Sequence, residues 1–395
     1  MPISNIYTPF SSTYTSYNTP TTEKEAEKPF NALKNSATNI DKMLTNGIHS
    51  DKANSSLETL LAVATHQKQI TVQMISQNAN PEDAITLLLK DSIDQYALQL
   101  ESIYAWTVGG KSVLNPMLEM MAESIFKEGV SSTKFEDLVQ IIVMDMMLRG
   151  VLPDDMKKLA GYFLEDAGSG THGPMSQVTP KDLGKFMMDI YQLALKDDKN
   201  SLAFKVANEI ETNYKSEFYA YQKSFADTFW TNPDGFMDGF NGSANKDLPP
   251  ITGPSKDVSP FFKLSIISVL SSKGEITTEE FTKILTSDLA TIKEIAGIDG
   301  SMVDWIVAET PGVKPWQGNG ADGVGAGQVW WSFPGYGIDY SYLDTMFNDF
   351  PPRDLTEDEI EEINRIGDQV KMIQQTLKYW IQLCSDEQLA MARNI

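Results

Sequence analysis

Apolar positions in the C-terminal stretch of the chain fall on one helical stripe. Ile363, Val370, Leu377, Cys384 and Met391 recur every seven residues, and Ile366, Ile373 and Trp380 fill the positions between them. Thr356 and Glu359 stand ahead of that stripe at capping-box spacing, which predicts a long helix over 356–394. A seam of this kind needs a partner helix. Ile363, Ile366, Val370, Ile373, Leu377 and Trp380 are therefore the residues expected to pack, either within the chain or against a second subunit.

Upstream the same period recurs in shorter runs. Ser56 is placed to start a helix carrying Leu57, Leu60, Leu61, Ala64 and Ile70. Asn80-Pro81-Glu82-Asp83 supplies a cap, a first-turn proline and two first-turn acids to the next, whose stripe runs Ile85, Leu88, Leu89, Ile93, Tyr96, Leu100, Ile103 and Tyr104 until Gly109-Gly110 stops it. Further helices are expected over 116–126, 133–148, 153–164, from Thr179-Pro180 with Leu183, Phe186, Met187, Ile190 and Leu193 inward, and as one long element from Ser201 to Trp230. Ser259-Pro260 and the Thr277/Glu280 capping box start two more, and a short one is expected over 301–307. Alternation of the strand type is nearly absent.

Two stretches break the period. Residues 232–258 are rich in Gly, Pro, Asn and Asp and read as a loop or linker. Residues 311–342 combine glycines at 318, 320, 323, 325, 327, 335 and 337 with Trp316, Trp330 and Trp331, and large aromatics in a glycine-rich run point to a segment that folds against the bundle or a partner. The resulting layout is a disordered segment over 1–54, a helical domain over 55–231, the linker, and a helical C-terminal region over 259–395. The fold class is mainly α: an elongated multi-helix bundle with a coiled-coil-like last helix.

Composition narrows the functions. Against 32 lysines and arginines stand 54 acidic residues, a formal charge of −22, which repels nucleic-acid phosphates and anionic headgroups and argues against nucleic-acid binding. No apolar run approaches the roughly 20 residues that span a bilayer, so membrane contact is expected only through partners. One cysteine permits no internal disulfide. The start lacks a basic, apolar signal peptide, so export would need another route, with cytoplasmic residence the alternative.

Candidate chemistry is thin. Gly318, Gly320 and Gly323 match the letters of a dinucleotide fingerprint without its strand and helix. Asp234, Asp238 and Asn241 lie in a turn-rich acidic stretch, yet the ligand spacing of a calcium loop is missing. Cys384 sits in the terminal seam, where a small apolar core residue is the better reading than a catalytic thiol. His49, His66 and His172 have no zinc-ligand spacing. Met117, Met120, Met121, Met144, Met146 and Met147 fall at helical spacing and read as core. No cofactor, metal or catalytic residue is assigned.

The uncharged start Pro2-Ile3-Ser4-Asn5-Ile6-Tyr7-Thr8, the acidic body with one cysteine and the long helix ending at Ile395 together resemble substrates of bacterial type III secretion systems. Hydrophilic translocators and needle-tip proteins of those systems are similar in their helical body and terminal coiled-coil helix. The resemblance implies a secreted, virulence-associated protein that acts through other proteins, by self-assembly or with a secretion chaperone. An enzyme with a pocket lined by the Gly/Trp segment, and a structural component of a virion or surface appendage, are the alternatives.

Overall fold

The computed structural model describes residues 23–47, 53–77, 83–130, 134–164, 180–228, 241–242, 251–252, 258–274, 276–300, 302–310, 314–315, 329–330 and 338–393. The α-helices among them are α1 (Glu23–Gly47), α2 (Ala53–Gln77), α3 (Asp83–Val108), α4 (Lys111–Glu128), α5 (Lys134–Leu148), α6 (Lys157–Leu164), α7 (Pro180–Ala194), α8 (Leu202–Asn213), α9 (Lys215–Thr228), α10 (Pro260–Lys273), α11 (Thr278–Thr286), α12 (Leu289–Ile295), α13 (Met302–Glu309), α14 (Tyr340–Asn348) and α15 (Glu357–Arg393). Two antiparallel ladders of two residues each, Asn241–Gly242 with Ile251–Thr252 and Lys314–Pro315 with Val329–Trp330, are the strands among the described residues. The mainly α class expected from the sequence is therefore the observed one.

The chain divides into two compact units, one made of Met1–Glu101 with Ile360–Ile395 and the other of Ser102–Glu359. The first is a four-helix bundle of α1, α2, the first part of α3 and α15. Lys34 Nζ donates to Ser385 Oγ at 3.2 Å and Lys378 Nζ to Asp41 at 2.6 Å, so α1 runs antiparallel to α15. Leu60 lies beside Gly367 and Gln67 beside Val370 and Gln374, so α2 runs parallel to α15. Gln67 meets Tyr96 and Lys68 meets Asp94, the order of an antiparallel α2/α3 pair. The helices thus alternate in direction, as in up-and-down bundles, with the fourth contributed by the far end of the sequence.

Two expectations change here. Residues 23–47, assigned to a disordered segment over 1–54, form α1, whose Phe30, Leu33, Ala37, Ile40 and Leu44 are buried. That stripe is narrow, two apolar positions per heptad among charged and polar residues, and it suffices because α2 and α15 pack on it. The units also part at 101/102 and 359/360 and not at the expected 232–258, where only residues 241–242, 251–252 and 258 are described.

The second unit is built round α5. Residues 135–147 of this helix are all buried, and α4, α6, α7, α8 and α10 pack on it. Its apolar side chains join Trp106, Met117, Met121, Phe163, Phe186, Ile190, Phe218, Phe261 and Phe281 in one core, with Met144, Met146 and Met147 buried among them. Its polar side chains have assigned partners. Asp145 accepts the main-chain N–H of Ala203 at 3.0 Å in the first turn of α8, and Gln140 Oε1 accepts that of Phe261 at 3.3 Å in the first turn of α10, while its Nε2 donates to Phe163 O at 3.1 Å. First-turn N–H groups have no partner within their own helix, so the central helix satisfies groups that burial would otherwise leave bare.

Several boundaries differ from the sequence reading. Pro116, expected at the start of a helix, lies inside α4, which begins at Lys111; as the sixth residue it forfeits the one main-chain hydrogen bond its N–H would have made to Ser112 O, and burial of its ring among the α4 core residues accompanies that loss. The single helix expected from Ser201 to Trp230 is two, α8 and α9, parted at Tyr214, whose φ of −134° leaves the helical region while its ring stacks on Phe126. α12 and α14 are additional, capped by Asp288 and Asp339. The capping boxes at Thr277/Glu280 and Thr356/Glu359 both form.

Candidate functional site

The terminal helix α15 is where the residues singled out from sequence converge. On the face turned into its bundle, Ile363, Ile366, Val370, Leu377, Ile381 and Cys384 are buried, and Gln374 is buried with them. Ile373 and Trp380, expected in the seam, are half-buried at its edge, and Met391 is exposed. The reason is the period. A strict seven-residue repeat turns about 20° per heptad on a straight helix, so the seam drifts from 373 and 380 to 374 and 381, and Ile381 falls five full turns, about 18 residues, from Ile363.

Gln374 forms the hub of a polar layer across the bundle. Its Nε2 donates to Ala37 O at 2.8 Å, and its Oε1 accepts Gln67 Nε2 at 3.2 Å; Gln67 also donates to Val370 O at 3.2 Å and accepts the Tyr96 hydroxyl. Burial drives the Tyr96 phenol well above its ordinary pKa, with the nearby Asp94 carboxylate adding to the effect, so it stays a neutral donor. Four helices are thus tied at one level by hydrogen bonds, which selects one axial register among those an apolar seam alone would allow. The motif was missed from sequence because Gln67 and Gln374 read as ordinary helical glutamines and lie far apart in the chain.

The remaining candidates are placed less fully. Trp316 and Trp331 lie outside the described residues, and Trp330 is described only through its ladder pairing with Lys314. The glycine motif from Gly318, the acidic stretch from Asp234 to Phe240, His49 and His172 also lie outside them. His66 is exposed on α2, and Cys384 is buried at 4% exposure, a setting that keeps a thiol inert. Among the described residues no cluster of three His, Cys, Asp or Glu could hold a metal ion, and no helix is long and apolar enough to cross a membrane.

The second unit carries a cleft of about 90 Å³ bordered by Ser124, Glu128, Lys134, Lys263 and Asp288. That is well under the roughly 300 Å³ at which ligand pockets begin. Its polar rim does structural work: Lys263 Nζ donates to Leu285 O at 3.1 Å near the end of α11, and Asp288 caps α12 by accepting Thr291 N–H at 2.9 Å. The described geometry is that of surfaces and packed seams. Compared with protein-family models, with characterised proteins and with solved structures, the chain finds no match.

Proposed function

We propose that this is a secreted bacterial protein that works by protein–protein contact, in the manner of a type III secretion translocator or needle-tip component. The observation that carries the reading is the last helix, which buries one face in its own bundle and holds Met372 and Tyr379 out to solvent at 62% and 64% exposure. A helix with apolar side chains on two faces suits a chain that folds first and then binds. The uncharged first twenty residues and the charge of −22 support export and solubility before assembly.

The test is export. Residues 1–22 fused ahead of a reporter without a signal of its own are expected to carry it into the medium from a bacterium with an active type III apparatus, and to leave it inside an otherwise identical strain whose export ATPase is deleted. Equal retention in both strains overturns the secretion reading.

A further inference from the structure

On the side of α15 away from the seam, Arg365, Met372, Tyr379 and Asp386 follow one another at heptad spacing, and all four are exposed. They lie roughly opposite Val370, Leu377 and Cys384 round the helix. Met372 and Tyr379 are the most exposed large apolar side chains among the described residues. The order along the line is cation, apolar, apolar, anion, which is complementary to itself when read in reverse.

We propose that α15 pairs with α15 of a second copy of this chain, antiparallel, about a two-fold axis passing between Gln375 and Thr376. In that register Met372 of one copy faces Tyr379 of the other, and Arg365 of one faces Asp386 of the other, each pair formed twice by symmetry. One heptad further out the sequence has Asp358 and Arg393, opposite in charge again. The thioether and phenol ring supply the apolar burial, and the charges fix direction and register. Arg365 already pairs with Glu362, and Asp386 accepts Gln382 Nε2 at 2.7 Å, on their own helix; both remain exposed on their outer side. Two copies of a chain at −22 repel at long range, so a shared contact has to set cations against anions locally, and this line does. A parallel pairing would instead place Arg365 against Arg365 and Asp386 against Asp386.

The inference deepens the contact reading, and its test needs no export, so either can fail alone. Sedimentation equilibrium of the full chain is expected to show a monomer–dimer equilibrium at micromolar concentration. Met372→Asp should weaken it roughly tenfold or more, with helicity and melting unchanged because the side chain is exposed. Arg365→Glu and Asp386→Arg should each weaken it, and the two together should restore it. Register is read by mixing Met372→Cys with Tyr379→Cys protein under a mild oxidant. The mixed disulfide should form faster than either self-disulfide, since identical positions sit about 10 Å apart along the axis. A chain monomeric throughout, a dimer indifferent to Met372→Asp, a double swap that fails to restore, or faster self-disulfides overturns the proposal.

Discussion

The four-helix bundle and the body built round α5 both bury polar side chains, but the groups they satisfy differ. In the bundle, Gln67, Gln374 and Tyr96 lie within helices and bond chiefly to one another and to carbonyls that already serve their own helices. In the body, Gln140 and Asp145 reach the N–H groups of Phe261 and Ala203, which have no acceptor within α10 or α8. A layer of side chains bonded to one another can be exchanged as a set for apolar residues, whereas a side chain that completes another helix cannot be removed without leaving main chain unsatisfied. The bundle uses polarity to choose a register; the body uses it to seat helices.

The largest effect should come from breaking the bundle's apolar seam. Leu377 is fully buried, and Leu377→Asp places a carboxylate there without a partner, a loss of more than about 5 kcal/mol. Loss of helical signal and of protease resistance in α1, α2 and α15 at 25 °C is the expected readout; an unchanged melting curve would refute the placement of the seam.

Next is an acid on the body's central helix. Asp145 accepts from Ala203 N and from Arg149 Nη2 at 2.8 Å, while Arg149 also holds Asp197. Asp145→Ala leaves a half-buried guanidinium with one partner fewer and the start of α8 bare, costing about 3–5 kcal/mol in urea unfolding. Asp145→Asn, which keeps an acceptor, should recover part of that loss.

The comparison is sharpened by treating the glutamines alike. Gln140→Leu should cost about 2 kcal/mol, since Phe261 N and Phe163 O both lose a partner. The matched set Gln67→Leu, Gln374→Leu and Tyr96→Phe should lie within about 1 kcal/mol of wild type, because the three side chains that bond to one another leave together and Asp41, which also accepts from Gln374 Nε2 at 3.3 Å, keeps Lys378. Its cost should appear as broadened side-chain NMR signals from a bundle with more than one register. Equal destabilisation by the two changes would erase the distinction.

The two regions were also unequally legible. Stripes on α2, α3, α7 and α15 and the stops at Gly109-Gly110 could be read from one helix at a time, because amphipathic period and caps are local. The drift from Ile373 and Trp380 to Gln374 and Ile381 is local too, and follows once 3.6 replaces 3.5. Nothing in the sequence near α1 says that α15 will cover it, and α5 has no polar face to mark which way it points; its whole circumference is buried. The residues that seat α8 and α10 read as polar interruptions in an apolar helix, since their partners are main-chain groups brought there by folding.

The smallest effect concerns charge, and again pairs one residue from each region. Burial works to raise the Glu359 carboxyl, but hydrogen bonds from Arg353 and Thr356 outweigh it and hold it below the ordinary range; Arg353 itself lies 3.9 Å over the Trp106 ring. Burial likewise opposes the lowering of Asp94, which Lys68 and Lys90 achieve. A carboxyl lowered on folding adds stability that is fully present above its unfolded value, about 4.3 for Glu and 3.9 for Asp, and lost as pH falls through the folded one. Glu359→Gln should therefore cost about 1–2 kcal/mol at pH 7, the difference from wild type closing as pH falls below the ordinary carboxylate range. Asp94→Asn should cost less, about 0.5 kcal/mol, because its lysine partners are open to solvent and screened. A larger acid sensitivity from Asp94 than from Glu359 would mean that the bundle, and not the body, depends on its ion pairs, reversing the roles that hydrogen bonding assigns to the two.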